Sequence, residues 1–70
     1  MEDRELGQRV LALIRGLPES YRETLVLRLV EGLTGPEIAE RTGLTPGSVR
    51  VNLSRGMALL RPLLRKEGWS

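Results

Sequence analysis

Seventy residues, 40% hydrophobic and 29% charged, describe one globular domain near the lower size limit for a self-supporting core. With neither Cys nor His, zinc fingers, thiolate nucleophiles and imidazole acid–base chemistry are excluded. Tyr21 and Trp69 are the only aromatic residues, which leaves an aliphatic core and no stacking platform for single-stranded bases.

Leu6, Val10, Leu13, Ile14 and Leu17 recur at helical spacing and predict a first amphipathic helix over about residues 3–16. Gly16 stops it, and Gly7 weakens its first turn. Pro18 opens a second helix, about 18–31, with Glu19 in its favourable first turn and Gly32 closing it. Tyr21, Leu25, Val26, Leu27, Leu29 and Val30 occupy more than one stripe of that helix, so it should be central and covered from several sides.

Two helix-start signals follow in a row. Leu33-Thr34-Gly35-Pro36-Glu37-Ile38 reads as a staple residue, an N-cap, a first-turn proline, a capping-box Glu and a staple partner, opening a short third helix over about 35–42. Leu44-Thr45-Pro46-Gly47-Ser48-Val49 repeats that layout without the Glu. The fourth helix, about 46–64, buries Val49, Leu53, Met57, Leu60 and Leu64. Pro62 lacks the N–H for the Ala58 carbonyl and predicts a kink or irregular end, with residues 65–70 as a mobile tail. Strand patterning, repeats and linkers are absent.

These signals fit a helix-turn-helix over 35–55. With Gly35 as its first position, Ala39 falls fifth, Gly43 ninth and Val49 fifteenth. Ala39 must be small where the second helix crosses it, Gly43 must accept a left-handed backbone, and Val49 fills the wedge between helices. Thr34, Glu37, Ile38 and Leu53 complete the structural set. The fold expected is all-α: a four-helix helix-turn-helix domain of the winged-helix-like, three-helical-bundle DNA/RNA-binding type.

Charge is divided along the chain. Residues 1–40 carry eight acids against five arginines, and residues 41–70 carry Arg41, Arg50, Arg55, Arg61, Arg65 and Lys66 against Glu67 alone. A basic half that starts at the turn is what a phosphate-binding face looks like. Turned at about 100° per residue, the fourth helix places Gly47, Ser48, Val51, Arg55 and Ala58 opposite its buried arc. Arg50 and Ser54 lie along one edge of that arc, Asn52 and Thr45 along the other. Arg55 or Arg50 suits guanine N7 and O6, Asn52 suits adenine, and an outward Val51 suits a thymine methyl. For Arg50, a plain phosphate contact fits equally well. Pro46, Gly47 and the N–H groups near Ser48 let a phosphate approach the helix start. The candidate DNA-binding set is therefore Arg41, Thr45, Pro46, Gly47, Ser48, Arg50, Val51, Asn52 and Arg55. The carboxylates form no catalytic constellation, so neither an enzyme nor a metal or cofactor site is expected.

From about Leu17 to Leu64 the chain resembles region 4 of bacterial RNA polymerase sigma factors of the extracytoplasmic-function group. The marks are Leu17-Pro18, Leu27-Arg28, Glu31-Gly32-Leu33, Glu37-Ile38-Ala39, Gly43, Gly47 with Val49, Leu53-Ser54-Arg55 and Leu60-Arg61. The resemblance implies recognition of the promoter −35 element, docking on the flap of the polymerase β subunit and an anti-sigma factor as a further partner. It differs from the common pattern at Gly35-Pro36, at Val51-Asn52 and at Pro62. Nothing in these residues matches the upstream region that grips polymerase and melts the −10 element, which favours an excised C-terminal domain over a small standalone relative. A monomer in a reducing cytoplasm is expected. No apolar run approaches membrane-span length, and the acidic start at Glu2 and Asp3 does not resemble a signal peptide. Two alternatives stand beside this reading: a LuxR-like dimeric output domain, and a protein-interaction module that binds only polymerase or an anti-sigma factor.

Overall fold

Capping residues and glycines divide the chain into helices. The computed structural model describes residues 3–68, the first four of them through their backbone alone. Helix α1 covers Asp3–Arg15 and α2 covers Glu19–Leu25, continuing into a π-helical turn over Val26–Val30. Helix α3 covers Gly35–Thr42 and α4 covers Pro46–Lys66. Among the described residues there is no strand, and the all-α, four-helix expectation holds. The Leu6 side chain and the final residues Trp69 and Ser70 lie outside the described residues.

Two buried clusters hold the helices together. Ile14, Leu17, Leu25 and Leu60 join α1, α2 and α4; Leu27, Ile38 and Val49 join the end of α2 to α3 and the start of α4. Leu53 packs against both and links them. Burying each such aliphatic side chain contributes about 1.5–3 kcal/mol. The one buried polar side chain among the described residues, Thr24, donates its hydroxyl to the carbonyls of Tyr21 at 3.0 Å and Ser20 at 3.2 Å.

The end of α2 departs from the single helix expected over 18–31. There the Glu31 N–H reaches back to the Val26 carbonyl at 3.1 Å, and the Leu33 N–H to that of Leu27 at 2.9 Å. This wider spacing absorbs an extra residue, and Gly32 then turns the chain at φ 72°. Leu27 is turned into the second cluster, whereas Leu29 and Val30 are left 45% and 51% exposed. The expectation of a helix covered on several sides therefore fails at this end. The Arg28 guanidinium donates to the Leu33 carbonyl at 3.0 Å, tying the π-turn to the entry of α3.

Helix α4 also corrects the reading. It continues through Pro62 to Lys66, so Arg65 and Lys66 form its last turn and not the start of a tail. Met57 and Leu64 are only partly buried, while Gly56, absent from the expected arc, is fully inside. An ideal Cβ on Gly56 would lie 2.9 Å from Leu25 Cδ1 and 3.3 Å from Tyr21 Cβ. The backbone of α4 thus packs directly against the Leu25 and Tyr21 side chains of α2 there.

Leu25 is fully buried and has little room to move aside. In Gly56→Ala, overpacking of about 1–3 kcal/mol opposes a propensity gain of about 1 kcal/mol. We expect Gly56→Ala to melt somewhat below wild type in circular dichroism. Gly56→Leu should lose more than about 2 kcal/mol; melting at the wild-type temperature would contradict the close crossing.

Candidate nucleic-acid interface

Helices α3 and α4 begin with the same device and use it differently. At α3 the Thr34 hydroxyl accepts from the Glu37 N–H at 3.3 Å, and the Glu37 carboxylate accepts from the Thr34 N–H at 2.8 Å. This reciprocal capping box puts a negative charge on the positive end of α3. The Glu37 carboxyl is held below its ordinary pKa, first by the backbone hydrogen bond from Thr34, then by the Thr34 side chain and the charge of Arg41. Leu33 staples onto the Ile38 cluster.

At α4 the Thr45 hydroxyl accepts from the Ser48 N–H at 3.1 Å and donates to Ser48 Oγ at 3.0 Å. No acid stands in the first turn of α4, so its positive end has no counter-charge of its own. Pro46 has no N–H and that of Ser48 is taken, which leaves Gly47 to offer the backbone donor of the first turn. The second staple is not built like the first. Leu44 is 38% exposed and lies outside the Val49 cluster.

The turn between the helices is held by its own chemistry. Gly43 adopts φ 79° and donates its N–H to the Ala39 carbonyl at 2.9 Å. The Thr42 hydroxyl donates to the Ile38 carbonyl at 2.8 Å and accepts from the Leu44 N–H at 3.2 Å. Composition gave no sign of this bridge, because any helix-terminal Thr has the same atoms. Ala39 packs beside Ile38 and Val49 in the second cluster, where a larger side chain would separate the helices.

The candidate residues fall into three groups. Thr45, Pro46, Gly47, Ser48, Arg50, Val51 and Arg55 are exposed together on the first three turns of α4. Asn52 is half-buried and turns toward α2, lining a shallow depression with Glu19, Glu23 and Thr24. Arg41 lies on an acidic flank, 3.8 Å from Glu31, in an exposed ion pair that adds little to stability. Beside Arg50 a shallow apolar groove runs along Gly35, Pro36, Pro46, Val49 and Leu53, joining the starts of the two helices.

Electrostatically α4 stands alone. From Pro46 to Lys66 it contains no Asp or Glu, and among the described residues none of Arg50, Arg55, Arg61, Arg65 and Lys66 pairs with a carboxylate. No helix among the described residues is long and apolar enough to cross a membrane.

Two helices joined through a left-handed glycine, the second cationic on its outer side, define a helix-turn-helix domain. The chain belongs to the sigma-70 region 4 family: residues 7–60 match the family described as Sigma-70, region 4. It is 47% identical over 51 residues to the ECF RNA polymerase sigma factor ShbA of Streptomyces griseus, covering 73% of this chain and 27% of that protein. It is 38% identical over 65 residues to the ECF RNA polymerase sigma factor SigE of Mycolicibacterium smegmatis, covering 93% and 25%. Against the RNA polymerase sigma factor CarQ of Myxococcus xanthus it is 37% identical over 62 residues, covering 89% and 36%. The chain thus spans about a quarter to a third of the length of these relatives. No solved structure matches significantly.

Two expected outcomes test this local chemistry. Because the folded pKa of Glu37 is depressed, its contribution to stability is complete above the ordinary value of about 4.5 and is lost as pH falls through the folded value. Wild type should therefore lose an advantage over Glu37→Gln in acid; a constant gap in urea-melt stability from about pH 7 to pH 3 would contradict the capping box. Gly43 has open space around its Cβ direction, so Gly43→Val should be costly through backbone strain alone, by at least about 1–2 kcal/mol. An unchanged melting temperature would refute the left-handed turn.

Proposed function

We propose that this chain is the −35-reading domain of an extracytoplasmic-function sigma factor, directing RNA polymerase to promoters in transcription initiation. In this reading α4 enters the major groove with its first turns, and α3 lies across the phosphate backbone. The observation that carries it is the acid-free, exposed face of α4 beginning at an N-terminus without counter-charge. Such an end favours a phosphate, with the Gly47 N–H and the Ser48 hydroxyl as donors. Arg55 and Arg50 supply base-edge or phosphate contacts. Asn52 and Arg41 belong at most to the rim, since one turns toward α2 and the other faces Glu31.

The domain does not act alone in this proposal. Polymerase raises its effective concentration at the promoter, which one helix in one groove requires because it makes few contacts. The exposed Leu29 and Val30 supply apolar surface for a protein partner, the β flap of polymerase or an anti-sigma factor. The protein works as a monomer in the cytoplasm, on an asymmetric site, and performs no catalysis.

The deciding experiment selects bound duplexes from a random pool and titrates affinity for the selected site with salt. A phosphate-contacting domain loses affinity steeply, log K falling linearly with log salt. A flat response favours the protein-interaction module, and tight binding to palindromes alone favours a LuxR-like dimer. Arg55→Ala should cost about 1–3 kcal/mol on the selected site and relax one base position. An equal loss on all sequences would make Arg55 a phosphate contact.

A further inference from the structure

Val51 is 44% exposed and belongs to neither buried cluster. Its packing gives no reason for an apolar, β-branched residue on this face. Neighbours one turn away along the helix are Gly47, Ser48, Ser54 and Arg55, all exposed and none with a large apolar side chain. Val51 is therefore an isolated apolar spot in a polar, cationic setting and not part of a contiguous patch for a protein partner. A partner that matches such a spot is small, apolar and embedded in an acidic surface. Double-stranded DNA offers one such group in its major groove, the C5 methyl of thymine.

We infer that Val51 is a specificity-determining residue that packs against a thymine methyl; this rests on the DNA-binding reading above. Val51 and Arg55 are four residues apart, which is about 6 Å along the axis and about 40° around it. Base pairs stack about 3.4 Å apart. The thymine therefore lies within two base-pair steps of the pair that Arg55 contacts. Asn52 is turned toward α2 and does not compete for that position.

The test replaces thymine by uracil, one position at a time, in a duplex selected by this protein. The exchange removes a methyl and leaves every hydrogen-bonding group unchanged. Wild type should lose about four-fold in affinity at one thymine, the worth of one buried methyl. Val51→Ala should show a smaller thymine-to-uracil difference than wild type, and Val51→Ser none, and both should melt as wild type does, because Val51 lies outside both clusters. A uracil series flat for wild type overturns the inference while leaving DNA binding intact. A uracil effect that is undiminished in Val51→Ala and Val51→Ser assigns the methyl to another residue and overturns it too. Failure to bind any duplex at low salt overturns this inference together with the reading beneath it.

Discussion

At Gly56 the backbone of α4 comes so close to Leu25 that no side chain fits between them. The rest of the domain is arranged around that contact. It lets Leu60, one turn further on, reach Ile14, Leu17 and Leu25 and so close the larger cluster. With its middle and end clamped on α1 and α2, α4 has a fixed azimuth, and its first turns are carried out to where α3 meets them. Leu53 transmits the constraint, since it packs on the larger cluster and on the Leu27, Ile38 and Val49 cluster alike. The orientation of Ser48, Val51 and Arg55 toward solvent is thus set from the middle of the same helix, by a residue with no side chain.

The two helix starts divide the electrostatic work. Thr34 and Glu37 satisfy each other's backbone donors and neutralise the end of α3 internally. Thr45 satisfies only Ser48, and α4 keeps its positive end. The connecting turn needs no tertiary contact to hold its shape, because Gly43 and the Thr42 hydroxyl close it locally. A stiff turn between a neutralised helix and an open one converts the packing at Gly56 into a defined placement of positive potential.

What was legible in the sequence was what local chemistry decides. Thr34 with Glu37, Thr45 with Pro46, and the αL position at Gly43 each depend on a few neighbouring residues, and the starts of α3 and α4 fell where these signals put them. Features set by tertiary fit were not legible. Gly7 and Gly56 both sit inside helices, yet one has open space and the other touches Leu25, a difference that no pattern within either helix encodes. The π-turn over Val26–Val30 was hidden because its residues continue a helical apolar pattern, while Gly32 and the docking of Leu27 demand the wider spacing. Pro62 pointed to a kink or irregular end, yet the helix runs on to Lys66: only one backbone donor is lost, and Leu60, Leu63 and Leu64 on either side remain packed. At the candidate site, the helical angle already placed Asn52 nearer the core side than Arg55, and the depression against α2 is the physical form of that angle.

The charges of α4 can be separated by what the fold asks of them. Arg65 and Lys66 lie in the last turn, where cations favour the negative helix end, so stability alone accounts for them. Arg41, outside α4 in the last turn of α3, is engaged with Glu31. Arg50, Arg55 and Arg61 lie in the body of the helix, exposed and without a carboxylate partner among the described residues. Placing like charges along one helix with no intervening acid costs a little stability through repulsion. A fold selected for stability alone would place acids four residues from those arginines, as Glu37 stands to Arg41 at α3. Their absence along the whole of α4 has no explanation in the fold, and an extended polyanion is the partner that the function proposed above sets against them.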